Sequence, residues 1–205
     1  MRATRLNKGF TLIEFAIVLV IIGLLITGVI KGMGLTQSAQ VDSAVTLAQD
    51  LSVAVNTFKQ QYHLLPGDMS ITSEIPNVRS ECLSGGSNVG DNNGLIDATE
   101  AKCVPEVLSQ AGLGKVETDS GWAIFKSSYG PVRVIAVSKS NVSSGFSASV
   151  THVVEFANLP CEVAQEIDRK IDNDDLASGK AIAGGIVAGN TCTAGSIVGY
   201  YAVAL

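Results

Sequence analysis

The sequence predicts an α+β protein in which one long N-terminal helix packs on a C-terminal antiparallel β-sheet. Three observations support this fold class: an apolar run near the N-terminus, a helical repeat of apolar residues after it, and short strand-like segments in the second half. A chain of 205 residues has room for one helical anchor and one modest globular domain. The helix and the sheet each have an apolar face, so each is expected to cover the other.

The first element is the apolar run from Phe10 to Ile30, which has about the length that spans a bilayer. Arg2, Arg5 and Lys8 precede it without any acidic residue, so the N-terminus is expected to stay cytoplasmic and the remainder to face outward. Glu14 lies inside the run, where an ionised carboxylate is costly and usually marks function. The run therefore predicts a membrane segment with a functional acid near its start.

Two simpler interpretations of this segment fit less well. A secretory signal peptide has a shorter apolar core followed by a small-residue cleavage site, and this core is longer and has no such site after it. A plain signal anchor fits the length but leaves Glu14 unexplained.

An amphipathic helix is predicted to continue through residues 31–65. Apolar side chains recur there at three- and four-residue steps and form one face: Val41, Ala44, Val45, Ala48, Leu51, Val55, Phe58 and Tyr62. Joined to the apolar run, this segment gives one helix from about Phe10 to Leu64. Pro66 cannot continue a helix and Gly67 permits a turn, so the helix is expected to end there.

Residues 66–205 are expected to form the globular α+β head. Residues 70–100 are loop-like, being rich in Ser, Asn, Gly and Asp. Helices are predicted at 104–111 and 159–172. Strands, separated by Gly, Ser and Asn turns, are predicted at 122–125, 131–138, 146–156 and 196–205.

The net charge and the cysteines restrict the kinds of binding site that the protein is expected to have. The net charge is −5 and no basic cluster follows residue 31, which argues against a dedicated nucleic-acid site. All the cysteines lie beyond the apolar run, on the exported side: Cys82, Cys103, Cys161 and Cys192. Four cysteines on that side predict two disulfides, with three connectivities open at this point. Without a C-x-x-C motif and with two histidines, a zinc site is not expected.

One segment of the head has the spacing of a calcium loop. In the twelve-residue stretch VGDNNGLIDATE (89–100), Gly94 occupies the sharp-turn position, but Val89 stands where the first carboxylate is usual. The expected ligands are oxygen donors: Asp91, Asn93, the Leu95 carbonyl, Asp97 and Glu100. The alternative is an ordinary Asx- and Gly-rich surface turn. No cofactor is otherwise expected, and any bound metal would be structural calcium.

Enzyme motifs are not matched. The LGKV segment at 113–116 lacks the upstream glycine and the following Ser or Thr of a phosphate loop. His152 and Glu155 form H-x-x-E within a predicted strand, where they would point to opposite faces. The expectation is that the chain is not an enzyme.

The stretch KGFTLIE (8–14), followed by some twenty apolar residues, resembles the class III leader of type IV pilins and type II secretion pseudopilins. In that superfamily a prepilin peptidase cuts after the glycine and methylates the new N-terminus. The resemblance implies cleavage between Gly9 and Phe10, N-methylation of Phe10, and an assembly role for Glu14. It also implies a pilin-like fold, with a cleaved leader at 1–9 and a filament-core helix at 10–30.

A buried carboxylate needs a charge partner, and cleavage would create one at the Phe10 amino group. Glu14 of one subunit is therefore expected to neutralise Phe10 of its neighbour. Disulfides are expected between sequence neighbours, Cys82 with Cys103 and Cys161 with Cys192, the latter as in many type IV pilins.

The resemblance leaves alternative roles open. A type IV pilus subunit is favoured by the two cysteine pairs and the sizeable head, since a surface fibre benefits from covalent cross-links. The alternatives are a type II secretion pseudopilin and a minor or tip pilin that acts in adhesion or binding. The implied partners are copies of itself, other pilins, prepilin peptidase and an inner-membrane assembly platform. The implied location is the bacterial inner membrane for the precursor, with the head periplasmic, and then a filament at the cell surface.

Overall fold

The computed structural model describes residues 11–69, 75–82, 90–142, 144–184, 192–193 and 195–205. The chain forms two compact units, Met1–Gln40 and Val41–Leu205. The predicted cleavage site at Gly9 and Phe10 lies outside the described residues, as does Val89 of the predicted calcium loop.

The long helix α1 spans Leu12–Tyr62, close to its predicted bounds. Thr11 and Glu14 form a capping box at its start. The Glu14 carboxylate accepts hydrogen bonds from the Thr11 backbone N–H and hydroxyl, both at 2.8 Å, and the Thr11 hydroxyl oxygen accepts the Glu14 N–H at 3.3 Å. His63 follows the last turn with φ of 56°, and its N–H donates to the Lys59 carbonyl. This left-handed residue ends the helix three residues before Pro66.

In the first unit, α1 is apolar and exposed along its length. Its most apolar eighteen-residue window has a mean hydropathy of 2.8 and none of it is buried. The exposed side chains are bulky and aliphatic or aromatic: Leu12, Ile13, Phe15, Leu24, Leu25, Val29, Ile30 and Met33 among them. Among the described residues, α1 is the helix with the length and composition to cross a membrane.

In the second unit, the predicted apolar face of α1 is buried. Phe58 is fully buried and stacks at 4.5 Å on the ring of Tyr62. The other buried positions follow the same face: Val41, Ala44, Ala48, Leu51, Ala54 and Val55. The exposed sides carry polar groups, and Lys170 of a later helix pairs with Asp42. The amphipathic pattern thus becomes the helical side of the core.

The described residues of this unit also form an antiparallel sheet. Its strands in chain order are β1 Glu117–Asp119, β2 Trp122–Ser127, β3 Gly130–Ala136, β4 His152–Pro160, β5 Ala181–Gly184 and β6 Ile197–Ala204. They lie side by side in the order β1-β2-β3-β4-β6-β5, with every pairing antiparallel. Phe156 and Tyr201 are opposite each other at the centre, and both are fully buried. The predicted α+β fold with a long helix and an antiparallel sheet is confirmed.

Two shorter helices complete the described structure. The helix α2 spans Val104–Gln110 and α3 spans Cys161–Ile171. Both were predicted to within two residues. Pro105 stands in the first turn of α2 and Pro160 directly precedes α3, where a missing N–H carries no penalty.

The strand boundaries need correction at two places. Residues 146–151, predicted as the start of a strand, precede β4, and a turn closes there when the Val150 N–H donates to the Ser147 carbonyl. The strand predicted to reach residue 138 ends at Ala136 and passes into a 3₁₀ turn, Val137–Lys139. At both places the serine-rich chain forms hydrogen bonds within the turns, and these outweigh the local β-propensity. The short strands β1 and β5 were not predicted.

The cysteines form two disulfides, Cys82–Cys103 and Cys161–Cys192, which are the pairs expected from the sequence. The first links a 3₁₀ turn at Ser80–Cys82 to the residue before α2. The second links the first residue of α3 to a segment shortly before β6.

Candidate functional site

The long helix starts close to the predicted processing site. The structure describes α1 from Leu12, two residues after Phe10, with Glu14 in its first turn. Glu14 is exposed, and its hydrogen bonds to other described residues lie within its own helix start, to Thr11. The carboxylate is therefore held at the helix N-terminus, where the helix dipole favours negative charge.

A second cluster of acids lies in the head. Asp68, Asp91 and Glu100 each place one carboxylate oxygen within 4.8 Å of the others. Asp68 follows the turn that ends α1, Asp91 belongs to the predicted calcium loop, and Glu100 begins a 3₁₀ turn. Three separate positions along the chain thus bring hard oxygen donors to one place, the donor type that calcium prefers.

Two glycines allow this close approach. A Cβ on Gly90 would lie only 2.1 Å from the backbone carbon of Asp68, so any larger residue would push the two segments apart. Gly67 has φ of +91°, and a Cβ there would lie 2.8 Å from the Glu100 carbonyl oxygen. The cluster therefore depends on glycine at both positions.

Backbone amides hold the carboxylates in place. Asp68 accepts the N–H groups of Gly94 at 2.7 Å and Asn93 at 3.2 Å. Glu100 accepts those of Asp97 at 2.7 Å and Asp91 at 3.2 Å. These bonds fold the loop around the acids, so the positions of the oxygens are set by the backbone.

Burial makes the ionised forms of Asp68 and Glu100 unfavourable. Asp68 and Glu100 are 3% and 2% exposed, whereas Asp91 is exposed to solvent. Burial is the main cause that raises the pKa of Asp68, with a further contribution from Asp91. Burial likewise raises the pKa of Glu100, and Asp97 and Asp68 add to it. A cation at this position would relieve the repulsion between the carboxylates.

The predicted ligands divide into two groups. Asp91 and Glu100 belong to the cluster. Asp97 instead accepts the Thr99 N–H at 2.7 Å and the Glu100 N–H at 2.9 Å, so it caps the 3₁₀ turn. The Asn93 side-chain oxygen accepts the Leu95 N–H at 2.7 Å, which closes an Asx turn.

Asp68 was not predicted as a member of this carboxylate cluster. It precedes the loop by more than twenty residues in sequence and follows a Pro-Gly turn, so no local spacing connects it to VGDNNGLIDATE. Its only sequence signal is an acid directly after the Pro66–Gly67 helix stop. In the structure, Asp68 supplies a carboxylate that the twelve-residue pattern lacks at Val89.

His152 and Glu155, which were predicted to point to opposite faces of a strand, both lie on β4 and have separate partners. The His152 Nε2 accepts the Ile96 N–H at 3.2 Å. Glu155 accepts a hydrogen bond from the Arg133 Nε at 2.8 Å and one from the Asn141 backbone N–H at 2.7 Å. Each side chain therefore ties a loop or a neighbouring strand to β4.

Comparison with known proteins identifies a family motif at the N-terminus. Residues 4–30 match the family model described as the prokaryotic N-terminal methylation motif. Neither the search of curated proteins nor the search of solved structures found a match for this chain. The matched residues include KGFTLIE and the whole apolar run from Phe10 to Ile30, and the exposed apolar part of α1 begins within them. The chain therefore carries the class III leader of type IV pilins and pseudopilins.

Proposed function

We propose that this protein is a structural subunit of a type IV pilus-like filament, processed by prepilin peptidase and assembled by packing of its N-terminal helices. The observation that carries the proposal is the methylation motif at residues 4–30, followed directly by an exposed apolar helix. Such a surface requires either lipid or protein around it. The membrane would provide the first environment and neighbouring helices the second.

The proposed assembly uses Glu14 as a charge partner. Residues 10–30 would leave the bilayer and pack on like helices, which places Glu14 in an apolar surrounding. An uncompensated carboxylate there is strongly unfavourable. The N-methylated amino group of Phe10 in a neighbouring subunit would neutralise it and set the axial register. In the isolated chain Glu14 already faces the helix N-terminus through Thr11.

The proposed location follows from the same segment. The precursor would sit in the inner membrane with its N-terminus cytoplasmic and its head periplasmic, and an assembly platform would extract it into the filament. The leader 1–9 would be removed, and residues 31–65 would connect the filament core to the head at 66–205. Its partners would be its own copies, other pilins and the prepilin peptidase.

Within the superfamily we favour a pilus subunit over a secretion pseudopilin. The two disulfides support a surface role because they would hold the head together under shear outside the cell. The carboxylate cluster favours the pseudopilin alternative. A minor or tip pilin with a binding role is the third alternative. Isolation of sheared surface fibres and identification of their main protein distinguishes the first from the other two.

Replacing Glu14 by alanine is expected to leave cleavage intact and to reduce filament assembly strongly, because the Phe10 amino group then has no charge partner. Mass spectrometry of the exported chain should show an N-terminus at Phe10 carrying one added methyl group. Filaments are counted in sheared fractions. Asp50→Ala is the matched control, since Asp50 is an exposed acid farther along the same helix. A cut at any other bond, or normal assembly of Glu14→Ala, would contradict the proposal.

We also propose that the head binds a structural calcium ion at the carboxylate cluster. The support is the meeting of Asp68 and Glu100, both buried, with Asp91. The ion would stiffen a loop with little apolar content. Other oxygens of the predicted loop, at Asn93, Leu95 and Asp97, would complete the coordination after small rearrangements. We expect an affinity on the order of 0.1–1 mM, as in extracellular modules.

Calcium at about 10 mM is expected to raise the stability of the full-length chain in detergent by about 1–3 kcal/mol relative to EDTA, from binding linkage at that affinity. The measurement is thermal unfolding followed by Trp122 fluorescence, and Trp122 is the only tryptophan in the chain. Asp68→Asn should abolish the calcium effect. Asp119→Asn, an exposed acid on β1, should retain it.

Two results would count against this site. If wild type unfolds at the same temperature with and without calcium, VGDNNGLIDATE is an ordinary surface loop. If Asp97→Ala removes the calcium effect and Asp68→Asn does not, the ion binds the loop without the cluster.

A further inference from the structure

Asp168 is a carboxylate in the core of the head with an incomplete set of partners. It lies on α3, and its side chain is fully buried. Its Oδ1 accepts a hydrogen bond from the Tyr201 hydroxyl at 3.4 Å, a long contact. Its Oδ2 is buried and has no hydrogen-bond partner among the residues that the structure describes. The Asp175 backbone N–H also acts on this carboxyl group and lowers its pKa, but less than burial and Asp172 raise it. Burying a polar oxygen in this way is costly, and far more so if the group is charged.

The groups around Asp168 increase that cost. Asp172, at the end of α3, and Asp174, in the loop that follows, both add negative charge beside it. The cations of α3 are directed elsewhere: Arg169 pairs with Asp174 at 3.4 Å, and Lys170 pairs with Asp42.

The neighbouring strands do not compensate for this charge. On β6 the facing group is Tyr201, a neutral donor whose own pKa is strongly raised by burial and then by Asp168. On β4, His152 bonds to Ile96 and Glu155 to Arg133, and β5 has no ionisable residue.

Asp168 lies where three elements meet. Tyr201 is on β6 and pairs with Ala183 of β5. The loop 172–180 returns from α3 to β5, where the Ala183 N–H donates to the Leu176 carbonyl at 2.8 Å and Asp172 accepts the backbone N–H groups of Lys180 and Ala181. Loss of order around Asp168 would therefore affect α3, the loop 172–180 and the strands β5 and β6 together.

We propose that Asp168 makes this joint between α3, β6 and the loop 172–180 sensitive to pH, stable when the carboxyl is protonated and weakened when it is ionised. A protonated carboxyl has no net charge to bury and can be a donor as well as an acceptor. An ionised one has an unpaired oxygen beside two further carboxylates. The proposal concerns the head alone and goes beyond the filament role, on which it does not depend.

The direction of the pH effect follows from the shift in the pKa of Asp168. Burial, then Asp172, raises the pKa of Asp168 from 3.8 to about 6. A carboxyl with a raised folded-state pKa is protonated more readily in the folded than in the unfolded chain. Its stabilising protonated form is therefore fully present below the unfolded pKa and is lost as the pH rises through about 6. The joint should be tight in mildly acidic conditions and looser at neutral pH.

The test compares wild type with Asp168→Asn, which keeps the shape and cannot ionise. Full-length protein in detergent with EDTA is unfolded by denaturant at pH 4 and pH 7.5, with Trp122 fluorescence as readout. The unfolding constant of wild type divided by that of Asp168→Asn is expected to rise by roughly 30- to 100-fold from pH 4 to pH 7.5. The variant is therefore relatively more stable at pH 7.5. Other titrating groups are common to both proteins, so their contributions to the two unfolding constants cancel in this ratio.

Asp174→Asn is the matched control, since Asp174 is an exposed acid in the same loop, and its ratio should change only a few-fold. In a second measurement, ¹³C NMR of carboxyl-labelled aspartate in the wild-type chain should show a carboxyl that titrates near pH 6 and is absent from the Asp168→Asn spectrum, which distinguishes it from Asp68, whose pKa burial also raises. The proposal is overturned if the ratio of the wild-type and Asp168→Asn unfolding constants is the same at both pH values, or if no aspartate signal that titrates above about pH 5 disappears in Asp168→Asn.

Discussion

Replacing both Cys161 and Cys192 by alanine is expected to lower the free energy of unfolding of the head by about 3–4 kcal/mol. The bond closes a loop with a sequence separation of 31 residues, and the chain-entropy model gives a stabilisation of this size for such a loop. Cys161 is fully buried in the first turn of α3, so its disulfide joins the core to the segment before β6. The loss is a large part of the stability of a typical domain.

The measurement is denaturant unfolding of the full-length chain in detergent, with and without the substitutions. The variant with Cys82 and Cys103 replaced is the matched comparison, since its loop has a sequence separation of 21 residues and a similar cost is expected. Non-reducing peptide mapping provides an independent check. A peptide that links Cys82 to Cys161 or Cys192 would show that the pairing is different.

Acidification is expected to destabilise the head through His152, by about 2–3 kcal/mol between neutral pH and pH 4. The side chain is 6% exposed, and burial, with a smaller effect from Lys59, lowers its pKa from 6.5 to about 4. The neutral ring is the stable form because its Nε2 accepts the Ile96 N–H. Stability is therefore lost as the pH falls from 6.5 towards about 4, where the unfolded chain already binds the proton.

The His152→Gln variant cannot titrate in this range and can still accept the Ile96 N–H. Relative to this variant, wild type should lose about 2–3 kcal/mol of unfolding free energy as the pH falls from neutral to 4, so the stability difference between the two shrinks or reverses. His63→Asn is the control, because His63 is exposed just after α1. If wild type and His152→Gln respond to pH identically, the ring does not control acid stability.

His152 and Asp168 act in opposite directions over nearly the same pH range. Protonation of His152 weakens the contact between Ile96 and β4, whereas protonation of Asp168 relieves a buried charge beside β6. The acid response of wild type should therefore be small, and each single variant should reveal the effect of the other group. A wild-type curve that looks flat would not mean that neither group titrates.

The amino-acid sequence predicted the long helix and the leader well because both are encoded by residues near one another. The apolar run and the step of three and four residues up to Tyr62 require no distant contact to be recognised. The KGFTLIE segment likewise carries its resemblance within seven residues, and the motif match at residues 4–30 agrees with it. The central strands were also found, since β-branched residues cluster in them.

The sequence predicted the edge strands of the sheet and the ends of the strands less well. The strand β5 has only four residues, Ala181–Gly184, and forms because β6 provides a partner for its backbone. The strand β1 is equally dependent on β2. Residues 146–151 have strand-like composition but form a turn before His152. Such short segments take their structure from the neighbour they pair with, which a local pattern does not contain.

By itself, then, the sequence determined the leader, the apolar and amphipathic parts of α1, the main sheet strands and the oxygen-rich loop, because each depends on a repeat or a motif a few residues long. Tertiary structure alone brought Asp68 to Asp91 and Glu100, through two glycines that let the backbones approach. It alone buried Asp168 beside Tyr201 with one oxygen unpaired. The physical reason is that burial and charge proximity belong to the packed chain, where residues far apart in sequence exclude water from one another.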